Sequence, residues 1–256
     1  VFAAVAYANH SWNGYHWART ANPFTLKLGD NVSATWNGHL GVASGDWTVS
    51  SVLDTAVTAG QTSPKSCKPV KGRVEVCNSK YGNNGWLGIA QMWVSGSHIT
   101  KGAVKLNDTY FKTATYNTPA WRNLVMCQEV GHTFGLDHQD EDFSNPNLGS
   151  CMDYTDDPDG TLKNQADNTS PNLHDYQELN TIYAHLDSTT TVGQVASGPG
   201  NGQMPPAMSD IDLAGPGQWG RLVKGSPQHG FSVYELDFGG GHKVFTFVIW
   251  VRPNHQ

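Results

Sequence analysis

The chain has 256 residues, of which 38% are hydrophobic and 11% aromatic, enough for one domain of ordinary size and a smaller appendage. Its net charge of -6, with no Lys/Arg block, argues against nucleic acid or an anionic membrane surface as a partner. No apolar run approaches the roughly 18–20 residues that cross a bilayer, so we expect no membrane span.

Residues 1–23 form an amino-terminal segment with an apolar start. V1-F-A-A-V-A-Y-A8 is typical of the end of a signal peptide, with Ala6-Tyr7-Ala8 as an A-x-A cleavage site; the alternative is a packed strand. Asn-x-Ser/Thr sequons, which permit glycosylation of an exported protein, begin at Asn9, Asn31, Asn107 and Asn168. We therefore expect a secreted, extracellular glycoprotein.

Residues 24–190 are predicted to form the main domain, of the α+β class. F24-T-L-K-L28 and V32-S-A-T-W36 alternate like strands. Asp46–Ala59 is predicted to be a helix, because its apolar residues recur at three- and four-residue spacing and Gly60 stands at its exit. Later strands are predicted at R73-V-E-V-C77, G88-I-A-Q-M-W-V94 and A103-V-K-L106.

Two further helices have clear start signals. Thr118-Pro119 supplies an N-cap and a first-turn proline for a helix that runs to about Gly135. Ser170-Pro171 repeats that signal. The apolar side of this third predicted helix carries Leu173, Tyr176, Leu179, Ile182, Tyr183 and Leu186.

The composition changes after residue 190. Residues 191–218 are rich in Gly and Pro and are predicted to be a linker. Residues 219–256 form a β-rich segment, with strands at R221-L-V223, F231–F238 and K243–V251. This segment is too small for a secure core, so it should pack on the main domain, on Val1–Ala8 or on a neighbouring molecule.

The four cysteines also fit export. Cys67 and Cys77 bracket a Lys/Pro-rich loop that a disulfide could close, which would leave Cys127 and Cys151 as the second pair. The other two connectivities stay open.

The stretch C127-Q-E-V-G-H-T-F-G-L-D-H138 carries the candidate chemistry. Gln128 and His132 are four residues apart on a helix, so they face the same way and can share a metal ion, with Glu129 beside them. Gly135 permits a sharp turn, after which His138 can return as a third ligand. Three protein ligands and one open position are typical of a catalytic zinc site, where a carboxylate takes the proton of a zinc-activated water.

This stretch resembles the HExxHxxGxxH motif of the metzincin zinc endopeptidases, with Gln128 in place of the first histidine. S150-C-M-D-Y154 resembles the family's methionine turn. The resemblance covers roughly residues 30–187 and implies a mixed twisted sheet with an active-site helix and a C-terminal helix. It also implies that the strand near Ala90–Val94 lines the cleft and pairs with an extended peptide substrate.

The resemblance implies a role for each matching residue. Glu129 would be the general base and Met152 the hydrophobic floor, while Tyr154 would be a metal ligand or an oxyanion donor. The metal ligands would be Gln128, His132 and His138.

Gln128 leaves three alternatives open, because an amide oxygen is a poorer zinc donor than imidazole. The first is ligation by Gln128 through its oxygen. The second is binding by His132 and His138 with Glu129 or Tyr154, and the third is loss of the metal. Without a metal, the buried polar side chains would each need another partner, which favours a retained ion.

Two classes of function follow. The first is a secreted zinc endopeptidase. The second is a non-catalytic exported protein for binding or extracellular assembly, such as a filament or surface-layer subunit, that self-associates through its amino-terminal segment and C-terminal strands. A weaker possibility is carbohydrate binding by Trp219, Tyr234 and Trp250, although aromatic residues in strands more often belong to a core.

The acidic cluster and the histidines outside this motif carry weaker patterns. The acidic cluster D140-E-D142, with Asp137 and Asp153, could bind calcium but lacks the D-x-[DN]-x-[DN]-G pattern. His16 is interpreted as a packed neighbour of the aromatic residues around it and His185 as a surface or helix-face residue. The sequence shows no supporting ligands for His98.

Overall fold

The computed structural model describes residues 9–193, 205, 208 and 213–252. The expectations for Val1–Ala8, including self-association, and for most of the 191–218 linker lie outside these residues. None of the helices in this part of the chain has the length and apolar character that a membrane crossing requires.

A mixed β-sheet with three α-helices makes up the described part of the chain, and the predicted α+β class is confirmed. Its strands are β1 (His16–Trp17), β2 (Phe24–Asn31), β3 (Leu53–Ala59), β4 (Val74–Ser79), β5 (Trp86–Ser95), β6 (His98–Asn107), β7 (Arg221–Ser226), β8 (Phe231–Asp237) and β9 (His242–Trp250). The helices are α1 (Ala34–Trp47), α2 (Pro119–His132) and α3 (Leu173–Ile182).

The sheet has the strand order β3-β2-β4-β6-β5-β9-β8-β7, and β1 pairs in parallel with the start of β6. From β3 to β6 the neighbouring strands are parallel. From β5 onward every pair is antiparallel. The C-terminal segment therefore continues the sheet of the main domain, with β9 hydrogen-bonded along β5.

Two predictions for the first part of the chain are wrong. The strand over V32–W36 and the helix over Asp46–Ala59 are replaced by α1, which runs from Ala34 to Trp47, and by β3. Helix α1 buries one stripe of residues, Trp36, Leu40, Ala43 and Trp47, at helical spacing. Its outward glycines conceal this stripe in the sequence. Strand β3 forms because its Thr/Val-rich stretch pairs in parallel with β2, and this pairing overrides the local helical spacing.

The later helices start close to their sequence signals. The side chain of Thr118 accepts a hydrogen bond from the backbone N–H of Trp121, with Pro119 in the first turn of α2. Helix α3 begins two residues later than its Ser170-Pro171 signal, because Asn172 and Asp175 form a capping box. Leu179 and Ile182 of α3 are buried, whereas Leu173 is exposed.

Two hydrophobic clusters, on the two faces of the sheet, hold the fold together. The alternation of β9 divides its side chains between them. One cluster includes Phe245, Phe247 and Ile249 together with the core residues of α1 and α2. The other contains Val244, Val248, Trp250 and Trp219. Burying one such large side chain contributes about 1.5–3 kcal/mol, so β9 is anchored on both faces.

The structure contains the disulfides Cys67–Cys77 and Cys127–Cys151, the pairing that the sequence favours. Three of the four sequon asparagines are buried, which leaves no room for a glycan in this fold: Asn31, Asn107 and Asn168. Asn9 is exposed.

Candidate metal centre

Helix α2 presents its polar residues to the interior of the protein. Gln128, Glu129 and His132 are each only 1% exposed. Two glycines allow this close packing. A Cβ on Gly88 of β5 would lie 2.9 Å from Oε1 of Glu129, and a Cβ on Gly131 would lie 2.7 Å from the sulfur of Met152. The carboxyl group of Glu129 therefore lies against β5, and Met152 lies beneath the end of α2.

The chain reverses at Gly135, as its place in the motif predicts. Gly135 has φ +96°, and a Cβ at this position would clash with the carbonyl oxygen of Tyr15. Only glycine fits both constraints. After the turn, the backbone N–H of Asp137 donates to the carbonyl of His10, which holds the returning segment in place.

The returning segment lies against the methionine turn. The backbone N–H of Gln139 donates to the carbonyl of Met152, and that of Tyr154 donates to the carbonyl of Asp140. The Cys127–Cys151 disulfide ties α2 to the same turn. These contacts bring His138 and Tyr154 beside His132, whose ring centroid lies 4.5 Å from that of His138.

His132 is held in an orientation suited to metal binding. Its Nδ1 lies 2.9 Å from the carbonyl oxygen of Leu136, so Nδ1 carries the proton and donates to that carbonyl. The lone pair is then on Nε2. A backbone carbonyl that fixes the far nitrogen of a histidine is common around metal ligands.

His138 is positioned by Tyr154 on one side and by two carboxylates on the other. Its Nε2 lies 2.9 Å from the hydroxyl of Tyr154. Its Nδ1 lies 3.4 Å from Asp137 Oδ1 and 3.5 Å from Glu141 Oε1. We assign the Nδ1 proton to the carboxylate side, so the Nε2 lone pair accepts a hydrogen bond from the Tyr154 hydroxyl.

Gln128 and Glu129 each offer a buried oxygen without a protein partner. Nε2 of Gln128 donates to the carbonyl of Cys151 at 2.9 Å, which turns its Oε1 away from that carbonyl. Among the described residues, neither Oε1 of Gln128 nor Oε2 of Glu129 has a hydrogen-bond partner. Buried polar atoms of this kind are costly unless something binds them. Two imidazoles and one amide oxygen therefore fit a divalent ion such as zinc.

Burial dominates the electrostatics of the centre. Desolvation raises the pKa of Glu129 well above its usual value and lowers the pKa of His132 well below its usual value. Burial also raises the pKa of Tyr154 well above its usual value, with a further contribution from Glu129. For His138, burial lowers the pKa, but hydrogen bonds to Asp137 and Glu141 outweigh it and the pKa is raised.

Strands β8 and β9 of the C-terminal segment cover the candidate metal centre. Strand β9 pairs along β5 with Phe247 opposite Ala90 and Thr246 opposite Gln91, on the edge where the family resemblance places a substrate. The ring of Phe247 lies 4.2 Å from that of His132, and the ring of Phe231 lies 5.5 Å from that of His138. As a result, even His138 is only 5% exposed.

An ionic contact joins the C-terminal segment to the site. Nζ of Lys224, on β7, lies 2.6 Å from Oδ2 of Asp137 and 2.6 Å from Oε1 of Glu141. Lys224, Phe231 and Phe247 were not predictable as site residues. The alternation of the tail indicates strands, but nothing local in the sequence tells which edge they join.

The residues considered for calcium and for carbohydrate binding have other contacts in the structure. The acidic residues considered for calcium fall into two groups, since Asp137 and Glu141 both contact Lys224 while Asp153 accepts from the backbone of Leu148. Trp219 is buried in the second cluster with Trp250, which agrees with the core interpretation of these aromatics.

Comparisons with known proteins were made at the level of family, sequence and structure. No family model matches the chain, and no curated protein matches it. Among solved structures, the chain is similar to high choriolytic enzyme 1, a hatching enzyme zinc-protease from the medaka fish Oryzias latipes. The match has a TM-score of 0.37 and 10% sequence identity, and covers 66% of this chain and 94% of that chain. Similarity at this level carries no conclusion on activity, which depends on the residues described above.

Proposed function

We propose that this protein is a secreted zinc-dependent endopeptidase of the metzincin type, held in a latent state by its own C-terminal strands. One observation carries the proposal: among the described residues, the buried oxygens of Gln128 and Glu129 lack hydrogen-bond partners, and they belong to the same helix turn as His132, whose ring lies 4.5 Å from that of His138. The two disulfides are compatible with an oxidising, extracellular compartment.

Each residue of the centre then has a role. His132 and His138 would hold the ion through Nε2, and Gln128 through Oε1. When bound, zinc polarises a peptide carbonyl and lowers the pKa of a coordinated water to about 7. Glu129 would accept a proton at its carboxylate, and Tyr154 would donate from its hydroxyl to the developing oxyanion.

Gln128 sets the strength of this site. An amide oxygen is a neutral and weaker zinc donor than an imidazole nitrogen, so the ion is held less tightly than in a site with three histidines. The hydrogen bond from Nε2 of Gln128 to the carbonyl of Cys151 compensates in part, because it keeps Oε1 in a fixed direction.

Latency follows from the position of β9. A peptide that adds to a sheet edge uses the backbone groups of that edge, and β9 already uses those of β5 from Trp86 to Ser95. Substrate therefore requires displacement of β9, and with it the rings of Phe247 and Phe231. Proteolytic cutting within the C-terminal segment, or its transient release, would open the cleft.

The test combines an opened variant with loss of the base. Thr246→Pro should weaken the pairing of β9 with β5, and zinc-loaded protein should then cleave an unfolded protein substrate. Adding Glu129→Gln should abolish that cleavage while zinc remains bound. Asp54→Asn on β3, far along the sheet, is the charge-removal control and should leave cleavage unchanged. No zinc at stoichiometric addition, together with no effect of Glu129→Gln, would refute the peptidase.

The closed cleft also favours a second candidate, a non-catalytic metzincin-like protein for binding or assembly. In this case zinc would be structural, and the edge strands β3 and β7 would be the surfaces open to pairing with other chains. The same experiment separates the two: zinc binding without cleavage by the opened variant supports this second candidate.

A further inference from the structure

Three histidines and one aspartate converge at a second place, formed by different elements from those of the candidate centre. His16 belongs to β1 and His98 begins β6, whereas His185 and Asp187 follow α3. Oδ1 of Asp187 is the common point. It lies 3.5 Å from Nε2 of His16, 3.1 Å from Nε2 of His98 and 3.7 Å from Nε2 of His185.

The register of the sheet builds this cluster. Strand β1 pairs in parallel with the start of β6, with His16 directly opposite His98. The segment after α3 is held against β1, because the backbone N–H of Asp187 donates to the carbonyl of Arg19. Segments that are distant in sequence thus bring four donor groups together, which the sequence alone does not reveal.

The tautomer of His16 leaves a lone pair inside the cluster. Its Nδ1 lies 2.8 Å from the carbonyl oxygen of Gly14, so Nδ1 donates its proton there and Nε2 is unprotonated. This Nε2 lies 3.2 Å from Nε2 of His185 and faces Oδ1 of Asp187. A buried histidine that is fixed through Nδ1 by a backbone carbonyl, with Nε2 among other donors, has the arrangement of a metal ligand.

The donor atoms of His16, His185 and Asp187 all lie within 4.8 Å of one another, close enough to share one zinc ion. Zinc–nitrogen bonds of about 2.0–2.1 Å place the ligand atoms of a tetrahedron about 3.3–3.4 Å apart. The separation between His16 and His185 is 3.2 Å, and the separations of these two nitrogens from Oδ1 of Asp187 are 3.5 and 3.7 Å.

The carboxylate of Asp187 is itself oriented by an arginine. Nη1 of Arg19 lies 2.9 Å from Oδ2, and the backbone N–H of Arg19 donates to the same oxygen at 3.1 Å. These bonds use Oδ2 and leave Oδ1 facing the three histidines. An oriented carboxylate of this kind is typical of a ligand that is fixed by its outer partners.

We propose that His16, His185 and Asp187 bind a second zinc ion, with His98 hydrogen-bonded to Oδ1 of Asp187 as an outer partner. Three protein ligands leave one coordination position to water. The role of the ion is to fasten the segment after α3 to the amino-terminal strand. The proposal is independent of the activity proposed for the α2 centre.

The test counts zinc in the full chain after dialysis, by mass spectrometry of the metal. His98→Gln combined with His185→Gln removes the outer partner of Asp187 and one ligand, whose side chains are 34% and 54% exposed, so the fold should tolerate the change. This double variant should lose one zinc per chain and its zinc-dependent rise in Tm. Its affinity should fall at least about tenfold, because even loss of an outer partner costs a metal site about 10–100-fold.

Two further variants assign the metal to its site. His229→Gln, at an exposed histidine in the tail, is the matched control and should bind as the parent does. His132→Gln should leave the second zinc in place, so failure of the α2 centre is distinguishable from failure of this one. Zinc content and zinc-dependent Tm that are equal in the double variant and the parent would overturn the proposal and leave a hydrogen-bonded cluster. X-ray absorption showing two imidazole nitrogens together with oxygen ligands around the ion in the His132→Gln variant would support it.

Discussion

The ring of Phe247 lies flat against the ring of His132, with centroids 4.2 Å apart and planes 14° from parallel. Phe247 reaches this position because β9 pairs with β5 in a register that places it opposite Ala90. Trp12 packs edge-on against the same phenylalanine, at 5.1 Å. An aromatic side chain of the protein thus covers a candidate metal ligand, from a strand that occupies the edge of β5 where we propose that substrate binds.

Disrupting β9 should expose the centre. In Thr246→Pro the strand loses a backbone N–H and gains a ring between β5 and β8, at a cost of about 3 kcal/mol or more to the pairing. We expect faster hydrogen exchange of the β9 amides and at least about tenfold faster cleavage by zinc-loaded protein, since each 1.4 kcal/mol corresponds to a tenfold change in the open population.

Thr246→Val is the matched control for this prediction. It keeps the strand and loses only the hydrogen bond from Nε2 of Gln91 to the threonine hydroxyl, worth about 1 kcal/mol. If the proline variant exchanges its β9 amides no faster than the valine variant does, β9 is not the element that closes the cleft.

Lys224 should contribute to latency through its contacts with Asp137 and Glu141. Its side chain is 33% exposed, so we expect only about 1 kcal/mol from these contacts and about a fivefold rise in the open population for Lys224→Met. Lys243→Met removes the same charge from pairs inside the tail, with Glu235 and Asp237, and should not loosen the site. Equal exchange rates of the β8 amides in the two variants would contradict this role.

The sequence predicts much of the local structure at the site but little of its closure. Thr118-Pro119 and Gly135 mark the ends of α2 and its turn through short-range rules of capping and backbone freedom, and the structure follows them. The burial of Phe247 on His132 depends on which edge β9 joins. This long-range pairing cannot be predicted from the alternation of apolar residues in K243–V251.

The contrast between short-range rules and long-range pairing also explains the two wrong predictions in the first part of the chain. Helix α1 carries Gly38 and Gly41 on its outward side, which weakens the helical signal. Strand β3 has three- and four-residue spacing that imitates a helix, and only parallel pairing with β2 decides its conformation. The cluster around Asp187 was hidden for the same reason, since its members come from three distant segments.

Gly135→Ala should destabilise the protein and weaken zinc binding. The turn requires a positive φ at this position, and for alanine this left-handed conformation alone costs about 1–2 kcal/mol. The added Cβ would also clash with the carbonyl of Tyr15. His138 would move with the turn. Gly38→Ala, in open space on α1, is the opposite control and should raise the free energy of unfolding by about 0.5–1 kcal/mol. Chemical denaturation and zinc titration of both variants check the pair, and an unchanged stability for Gly135→Ala would contradict the close packing at Tyr15.

Gln128→His should tighten zinc binding at the α2 centre. An imidazole nitrogen replaces a weaker amide oxygen, at a position whose Oε1 faces the centre without another partner among the described residues. We expect at least about a tenfold gain in affinity, or about 1.4 kcal/mol, despite loss of the hydrogen bond to Cys151. Gln177→His, on the exposed face of α3, adds the same side chain away from the centre and should leave the affinity unchanged. Competition with a chelator of known affinity, in the His98→Gln/His185→Gln background, isolates the α2 centre, and unchanged affinity there would mean that residue 128 does not contact the ion.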